Sequence, residues 1–321
     1  MNIEFLSFYA KKFSKLRVDR SRGVAPHKPI LLLSIIALIE QGIITTNQID
    51  LSPELIAMFL KLWSCIGSEA HQPDIALPYF HLRRDKFWHH LPNAGYEILV
   101  ESKVKIRTIS ALREAVKCAY FDTPLYELLE IPTSRRSLTD ILIHQWFRNK
   151  DSQIRELLQI DAFKEYQNRF RENGGSVYTI QDLENQEENV LRDSAFRKVL
   201  VSLYDYRCVF CRMKVISDNG QNIVDAAHIK PFAEFRDDRL DNGLSLCKNH
   251  HWAFDHGWFG IDDDFKIIIP EHRLVEDEAV GSRPMIDFNQ SQILLPSLDK
   301  YFPRQDALRW HRERWLMTYS S

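Results

Sequence analysis

The chain has 321 residues, 45% of them apolar, with a formal net charge of −2. That length suits two domains of ordinary size, and that apolar share lets each half bury a core. No run approaches the ~18 apolar residues of a membrane span, and the near-balanced charge, taken alone, speaks weakly against nucleic acid.

The charge is uneven along the chain. Lys11, Lys12, Lys15, Arg17, Arg20 and Arg22 crowd one N-terminal stretch against Asp19 alone, and Arg83, Arg84 and Lys86 crowd a second. Local patches, rather than net charge, are the electrostatic footprint of a nucleic-acid binder, although each also fits an ordinary solvated face. The opening MNIEFLSFYAKK has no basic segment leading into an apolar one. No signal peptide is therefore expected, and the cytoplasm is the expected compartment.

Residues 1–150 read as mostly helical. Pro29 opens an apolar helix, ILLLSIIALIEQG, that Gly42 can stop. Ser52-Pro53 is a second start, an N-cap serine followed by proline in the first turn, for a helix to about Trp63. The aromatic segment 75–92, IALPYFHLRRDKFWHHLP, reads as loop and strand because of its two prolines and mixed polarity. Tyr96–Val100 reads as a short strand, and helical patterns return at Ile109–Tyr120 and Ser137–Trp146.

Residues 151–190 read as a connector. A charged helical stretch runs into Gly174-Gly175, and the acidic QDLENQEEN follows. A helix over Ser194–Leu203 then leads into a C-terminal domain, 191–321, with short strands and a closing helical segment, ALRWHRERWLMTYSS, whose Trp residues pack back. The expected fold class is α+β: a mostly helical N-terminal domain, then a small C-terminal domain with short strands. Of five cysteines, Cys65 and Cys118 lie in apolar surroundings and read as buried core thiols. Cys208 and Cys211 form a C-x-x-C, which in a cytosolic chain favours metal over disulfide.

Three segments carry the chemistry of the C-terminal half: RCVFC at 207–211, DAAHIKP at 225–231 and DNGLSLCKNHHWAFDHGWFGID at 241–262. Together they resemble the HNH endonuclease family over roughly residues 195–270, which implies a small ββα-metal fold for the C-terminal domain. The resemblance implies phosphodiester hydrolysis, with His228 as general base. A neutral imidazole can accept a water proton near pH 7. It also implies that Asn242 braces the loop and helps hold the base histidine. His251 and Asp255 stand one turn apart on a helix, an i, i+4 arrangement that suits one Mg²⁺ or Mn²⁺. Many members carry a metal-binding Asp or His directly before the base; here Ala227 stands there, and Asp225 is the candidate substitute. Cys208, Cys211, Cys247 and His250 form C-x-x-C … C-x-x-H, a donor set for a closed structural Zn²⁺ site.

PHKPILLLSII at 26–36 and LPYFHLRRDKFWHHL at 77–91 carry a second resemblance, to the sulfur-binding domain of McrA-like type IV restriction endonucleases. It covers about residues 5–150 and implies recognition of phosphorothioate-modified double-stranded DNA. Sulfur is larger and a poorer hydrogen-bond acceptor than oxygen, so an apolar cavity with basic residues around it can discriminate. The resemblance places Pro78 and the positions on either side of it at the cavity wall, Leu77 and His81 at pocket positions, and Lys28 beside the sulfur. Relatives have Tyr and Ala where Leu77 and His81 stand. Arg83, Arg84, Arg20 and Arg22 would meet phosphates. Tyr79, Phe80, Phe87 and Trp88 fit either a pocket or a core.

The sequence thus reads as a modification-dependent restriction endonuclease that requires a divalent metal ion and structural zinc. Two other readings stay open: a nuclease that flips a modified cytosine into an aromatic cage, and a DNA-binding protein with an inactive HNH site. A double-strand cut needs two active sites or two visits, which makes a homodimer one expected arrangement.

Overall fold

A computed structural model describes residues 2–102, 106–218, 220–270, 274–276 and 283–315. The chain divides into two compact units, residues 1–166 with 185–191, and residues 167–184 with 192–321. The expected connector is therefore shared between them: 151–166 and 185–191 pack with the first unit, 167–184 with the second.

The first unit contains helices α1 (Asn2–Ser14), α2 (His27–Glu40), α3 (Pro53–Ile66), α4 (Ala76–His81), α5 (Glu97–Glu101), α6 (Ile109–Ala115), α7 (Thr123–Glu130), α8 (Pro132–Trp146) and α9 (Asp151–Leu157). Strands β1 (Trp88–Pro92) and β2 (Val116–Phe121) pair antiparallel, Trp88 opposite Phe121. The centre is α2, buried from Lys28 to Ile39. Its sequence is apolar all round, so it is stable only when surrounded, and α3, α4, α7 and α8 pack against it. Ser34, the polar break in the run, donates its hydroxyl to the Ile30 carbonyl at 2.8 Å, which satisfies it within the helix. Gly42 has φ +71°, the left-handed conformation that ends a helix cheaply only at glycine. The Ser52 hydroxyl accepts the Leu55 amide at 3.2 Å, and α3 runs one residue short of Gly67.

Several expectations need correction. Segment 75–92 contains a helix, α4, followed by a 3-10 turn at Leu82–Asp85, before its strand begins. The Asp74 carboxylate accepts the Leu77 amide at 3.1 Å, and Pro78 sits in the first turn, where a missing N–H costs nothing. Tyr96–Val100 is largely the short helix α5 rather than a strand. The Ile109–Tyr120 pattern is helix only to Ala115; Val116–Phe121 is strand β2, exposed at Lys117 and Tyr120 and buried elsewhere. Cys118 is buried, but Cys65 is only half-buried, its thiol 3.7 Å from the Gln153 side chain.

Helix α10 (Ala162–Asn173) and helix α11 (Gln186–Leu203) each contribute residues to both units. The second unit adds strands β3 (Val224–His228) and β4 (Gly243–Cys247), helices α12 (Phe232–Phe235) and α13 (Lys248–Asp255), the short pair β5 (Gly260–Ile261) and β6 (Ile267–Ile268), and helix α14 (Gln305–Trp315). β3 and β4 are antiparallel, with Val224 opposite Cys247 and His228 opposite Gly243. β4 is buried throughout, and α13 packs on both strands. In α14 the buried face is Ala307, Leu308 and His311, while Trp310 is half-buried against Phe235. The expectation for that tail falls partly on residues 316–321, outside the described residues.

Two substitutions test this architecture. Leu33 is fully buried at the centre of α2, so Leu33→Ala should cost roughly 2–5 kcal/mol. Ser52→Ala removes only a cap and should cost about 1 kcal/mol. Urea unfolding of both variants checks the ranking; equal costs would remove α2 from the centre of the core.

Candidate active site and nucleic-acid interface

His228 is the last residue of β3, where the strand gives way to a loop that returns at Asn242. Asn242 is fully buried. Its side-chain oxygen accepts the Lys230 amide at 3.0 Å, and its side-chain nitrogen donates to the carbonyls of Lys230 at 3.1 Å and Asp237 at 2.9 Å. Its own carbonyl accepts the Ile229 amide at 2.9 Å. One side chain thus ties both ends of the loop, and the main-chain bond to Ile229 lies one residue from His228, with no direct bond to the imidazole itself.

The His228 imidazole is held on two sides. Its Nε2 lies 2.7 Å from Asp238 Oδ1, and its ring stacks on Phe196 at 4.2 Å with planes 4° apart. The stack depends on Gly243, because a Cβ there would meet Leu200 Cδ2 at 2.5 Å and Phe196 Cζ at 3.1 Å. The side chain keeps 23% of its surface exposed, which leaves the ring reachable.

His251 and Asp255 fall one turn apart on α13, Nε2 and Oδ2 3.5 Å from each other. Desolvation raises the Asp255 carboxyl, and the imidazoles of His251, His256 and His228 pull it back down. A carboxylate ringed by imidazoles suits a shared cation. Asp225 accepts the adjacent Ala226 amide at 2.9 Å. It precedes His228 by three positions, so strand alternation turns the two to opposite faces. Among the described residues Asp225 does not join His251 and Asp255 in a three-ligand cluster.

The one convergence of three or more His, Cys, Asp or Glu donors among the described residues is Cys208, Cys211, Cys247 and His250, whose ligand atoms all lie within 4.8 Å of one another. Zn–S bonds of about 2.3 Å put tetrahedral ligand atoms roughly 3.8 Å apart. His250 Nδ1 lies 3.7 Å from Cys208 Sγ and 3.0 Å from Cys247 Sγ. The protons are contested: neighbouring sulfurs push the Cys208 thiol up and the Cys247 thiol down. His250 is pushed up to about 9, since the sulfurs of Cys211 and Cys247 together outweigh a larger opposing burial. Three sulfurs and an imidazole this close fit a zinc ion. Such an ion would tie the 208–211 turn to the start of α13.

In the first unit the two basic stretches meet. Phe8, Lys11, Lys12, Lys15, Arg17, Arg84, Asp85 and Lys86 line a cavity of about 350 Å³. Asp85 is its organising residue. The buried Asp85 carboxylate takes Lys28 Nζ at 2.6 Å and the Arg17 amide at 2.8 Å, while its carbonyl accepts Lys12 Nζ at 3.3 Å. Lys28 is itself buried, and burial pulls its ammonium below the usual lysine range against the opposing pull of Asp85. It is therefore committed to an ion pair, not free at a helix start.

Arg20 and Arg22 are exposed beside the cavity residues in sequence without lining it. Arg83 does not line it either. Its guanidinium lies 4.0 Å over the Phe80 ring and donates to the carbonyls of Val100 and Ser102. In α4, which packs on α2, Pro78 is buried while Leu77 and His81 are half-buried. Tyr79, Phe80, Phe87 and Trp88 are at most 1% exposed. They are core residues, and they present no aromatic cage to a flipped base.

Sequence reasoning missed Asp238, Arg192, Phe196 and Asp85. Asp238 sits in an unremarkable DDRLDN run, and no spacing rule links it to His228. Arg192 and Phe196 lie more than thirty positions upstream of His228, Arg192 just ahead of the helix expected over Ser194–Leu203 and Phe196 within it.

Residues 208–262 match a family model described as HNH endonuclease, and residues 8–160 match one described as ScoMcrA-like, DNA sulfur-binding domain. No curated protein sequence matches the chain. Among solved structures, the modification-dependent TagI restriction endonuclease is 24% identical over 40% of this chain, which spans 39% of its length, at a TM-score of 0.30. The sulfur-binding domain of SprMcrA, solved with phosphorothioated DNA, is 18% identical over 49% of this chain and 96% of its own, at 0.40. The type IV phosphorothioation-dependent restriction endonuclease ScoMcrA is 12% identical over 76% of this chain and 81% of its own, at 0.34. At this overlap the assignment rests on the two family models. The chain carries a ScoMcrA-like DNA sulfur-binding domain in its N-terminal half and an HNH endonuclease domain in its C-terminal half.

Proposed function

We propose that the protein is a modification-dependent DNA endonuclease that reads phosphorothioate linkages in double-stranded DNA through residues 1–150 and hydrolyses phosphodiester bonds through residues 191–321. The observation that carries the reading is the held imidazole of His228, on the same small fold as the His251–Asp255 pair. His228 takes a proton from water; the water oxygen attacks phosphorus as the bond to the leaving oxygen breaks. Asn242 keeps the loop, and hence the base, in place. A divalent cation, Mg²⁺ or Mn²⁺, bound by His251 and Asp255 would supply positive charge for the phosphate. Cys208, Cys211, Cys247 and His250 would hold Zn²⁺ in a structural role.

On the reading side, Lys11, Lys12, Lys15, Arg17, Arg84 and Lys86 against the single Asp85 supply the charge for a DNA backbone. The wall that favours sulfur is assigned to Leu77, Pro78 and His81, with Lys28 behind it. Arg20 and Arg22 extend the basic surface, and Arg83 supports α4 from within. A homodimer would bring the two active sites that a double-strand cut needs, and the cytoplasm is where such DNA would be met.

The first test is catalytic. His228→Ala should lower cleavage of phosphorothioate DNA by about 10²–10⁴-fold with binding unchanged. Cleavage above a tenth of the wild-type rate would remove His228 as base.

The metals separate by exchange. Purified protein should hold one tightly bound zinc by elemental analysis and still need added Mg²⁺ or Mn²⁺ to cut. Cys208→Ser and Cys247→Ser should lower the melting temperature before they touch chemistry, because structural zinc binding is folding energy. Zinc-free protein of full activity would contradict this assignment.

The reader is tested with full-length His228→Ala as a non-cutting binder. It should prefer phosphorothioate to plain DNA of the same sequence. Lys12→Ala and Arg84→Ala should weaken both, each flattening the log–log salt slope by about 1. Leu77→Asn should instead erode the preference. Equal binding of both DNAs at every salt concentration would defeat the sulfur reading and leave the nuclease reading standing.

A further inference from the structure

We infer that Asp238 is the positioning residue of the HNH site: it holds the proton of His228 on Nε2 and so leaves Nδ1 as the basic nitrogen. This rests on the reading of His228 as general base.

The geometry is that of a relay of fixed charges. Asp238 Oδ1 is 2.7 Å from His228 Nε2, and its other oxygen is 2.9 Å from Arg192 Nε, with both side chains almost wholly buried. Paired with the Arg192 guanidinium on one side, the Asp238 carboxylate faces the imidazole as an acceptor and not a donor. The nitrogen facing it must therefore carry the hydrogen. The other ring nitrogen is then unprotonated in the neutral imidazole, free to take a proton from water.

Asp238 cannot swing away. Its amide donates to the Ser176 carbonyl at 2.9 Å, while Tyr178 donates to Arg236 and Leu240 to Gly174, both at 2.9 Å. A Cβ at Gly175, where φ is +81°, would lie 2.1 Å from the Asp238 carbonyl oxygen. Arg192 is fixed as well: its guanidinium lies 4.6 Å over Phe232 and 5.0 Å over Tyr178, and it also pairs with Asp193 at 2.7 Å. Burial, and then the Asp238 charge, push the Tyr178 phenol up to about 12, so it remains a neutral neighbour. Arg192, Phe196 and Gly174–Tyr178 all lie outside the matched stretch 208–262. The support of the base is therefore built from chain that the HNH motif does not contain.

Asp238→Asn tests the assignment because it preserves shape. The Arg192 charge should draw the amide oxygen toward itself and turn the amide NH₂ toward His228. Nε2 must then accept, and the proton moves to Nδ1, the nitrogen that should be free. Cleavage of phosphorothioate DNA with Mn²⁺ should fall about 10²-fold or more in kcat, with KM, DNA affinity, zinc content and melting temperature near wild type. Nitrogen-15 NMR of the imidazole should report Nε2–H in the wild type and Nδ1–H in the variant. A variant within threefold of wild-type kcat overturns the inference. So does a wild-type spectrum with the proton on Nδ1, a measurement that needs no variant. Loss of kcat together with DNA affinity and zinc also overturns it, since that is the pattern of a carboxylate that only holds the fold. Failure of the base reading is separate: it would show as cleavage by His228→Ala.

Discussion

A buried primary amide governs the C-terminal unit. Asn242 has no access to water, so each of its polar atoms must find a partner inside the protein or cost on the order of 1–3 kcal/mol. All the partners its side chain finds are main-chain groups of the loop from Lys230 to Asp237. Half of that loop is the single turn α12, and the Asn242 side chain pins the chain on either side of it. His228 enters it and Asp238 leaves it, so the imidazole and the carboxylate meet at 2.7 Å only while the loop keeps that shape. Asp237 adds a second constraint through Arg239 and Arg304, which clasp its carboxylate at 2.8 and 3.0 Å.

The first unit has a comparable centre in Asp85. Two basic stretches separated by more than sixty residues would repel each other if brought together without compensation. A buried carboxylate that accepts from Lys28, near Arg17 and Lys12, lets them share one cavity. Removing one partner of such a buried pair usually costs more than the pair gains, because the other charge stays behind. Lys28 is thereby more a structural cation than a ligand-seeking one.

Much of the C-terminal site was legible because its chemistry is encoded in short spacings. C-x-x-C and C-x-x-H bring three sulfurs and an imidazole together from two turns, and the approach of His251 to Asp255 follows from the pitch of a helix. The central helix α2 was equally legible, since an apolar run that long has to be buried. The failures have a common cause. Segment 75–92 and the Ile109–Tyr120 pattern changed type where a tertiary partner, not local preference, decided: Val116–Phe121 is a strand because β1 pairs with it. Asp238, Arg192 and Asp85 act across ten to nearly sixty residues of sequence, and no periodicity records an ion pair of that kind. The bonds of Arg83 to the carbonyls of Val100 and Ser102 are equally invisible to spacing.

The close approach of Gly175 to the Asp238 carbonyl bears on how portable this nuclease is. A ββα-metal motif is often thought of as a cassette, complete within its two strands and one helix. Here the chain from Gly174 to Tyr178 lies along the return loop like a splint, and only glycine fits at the tightest point. A module excised at 208–262 would keep its Cys3His cluster and its His251–Asp255 pair while losing the splint, the Arg192 cation and the Phe196 ring. Grafted elsewhere, it would carry a histidine of the right identity on a backbone free to turn it. The transplantable unit begins at about residue 174.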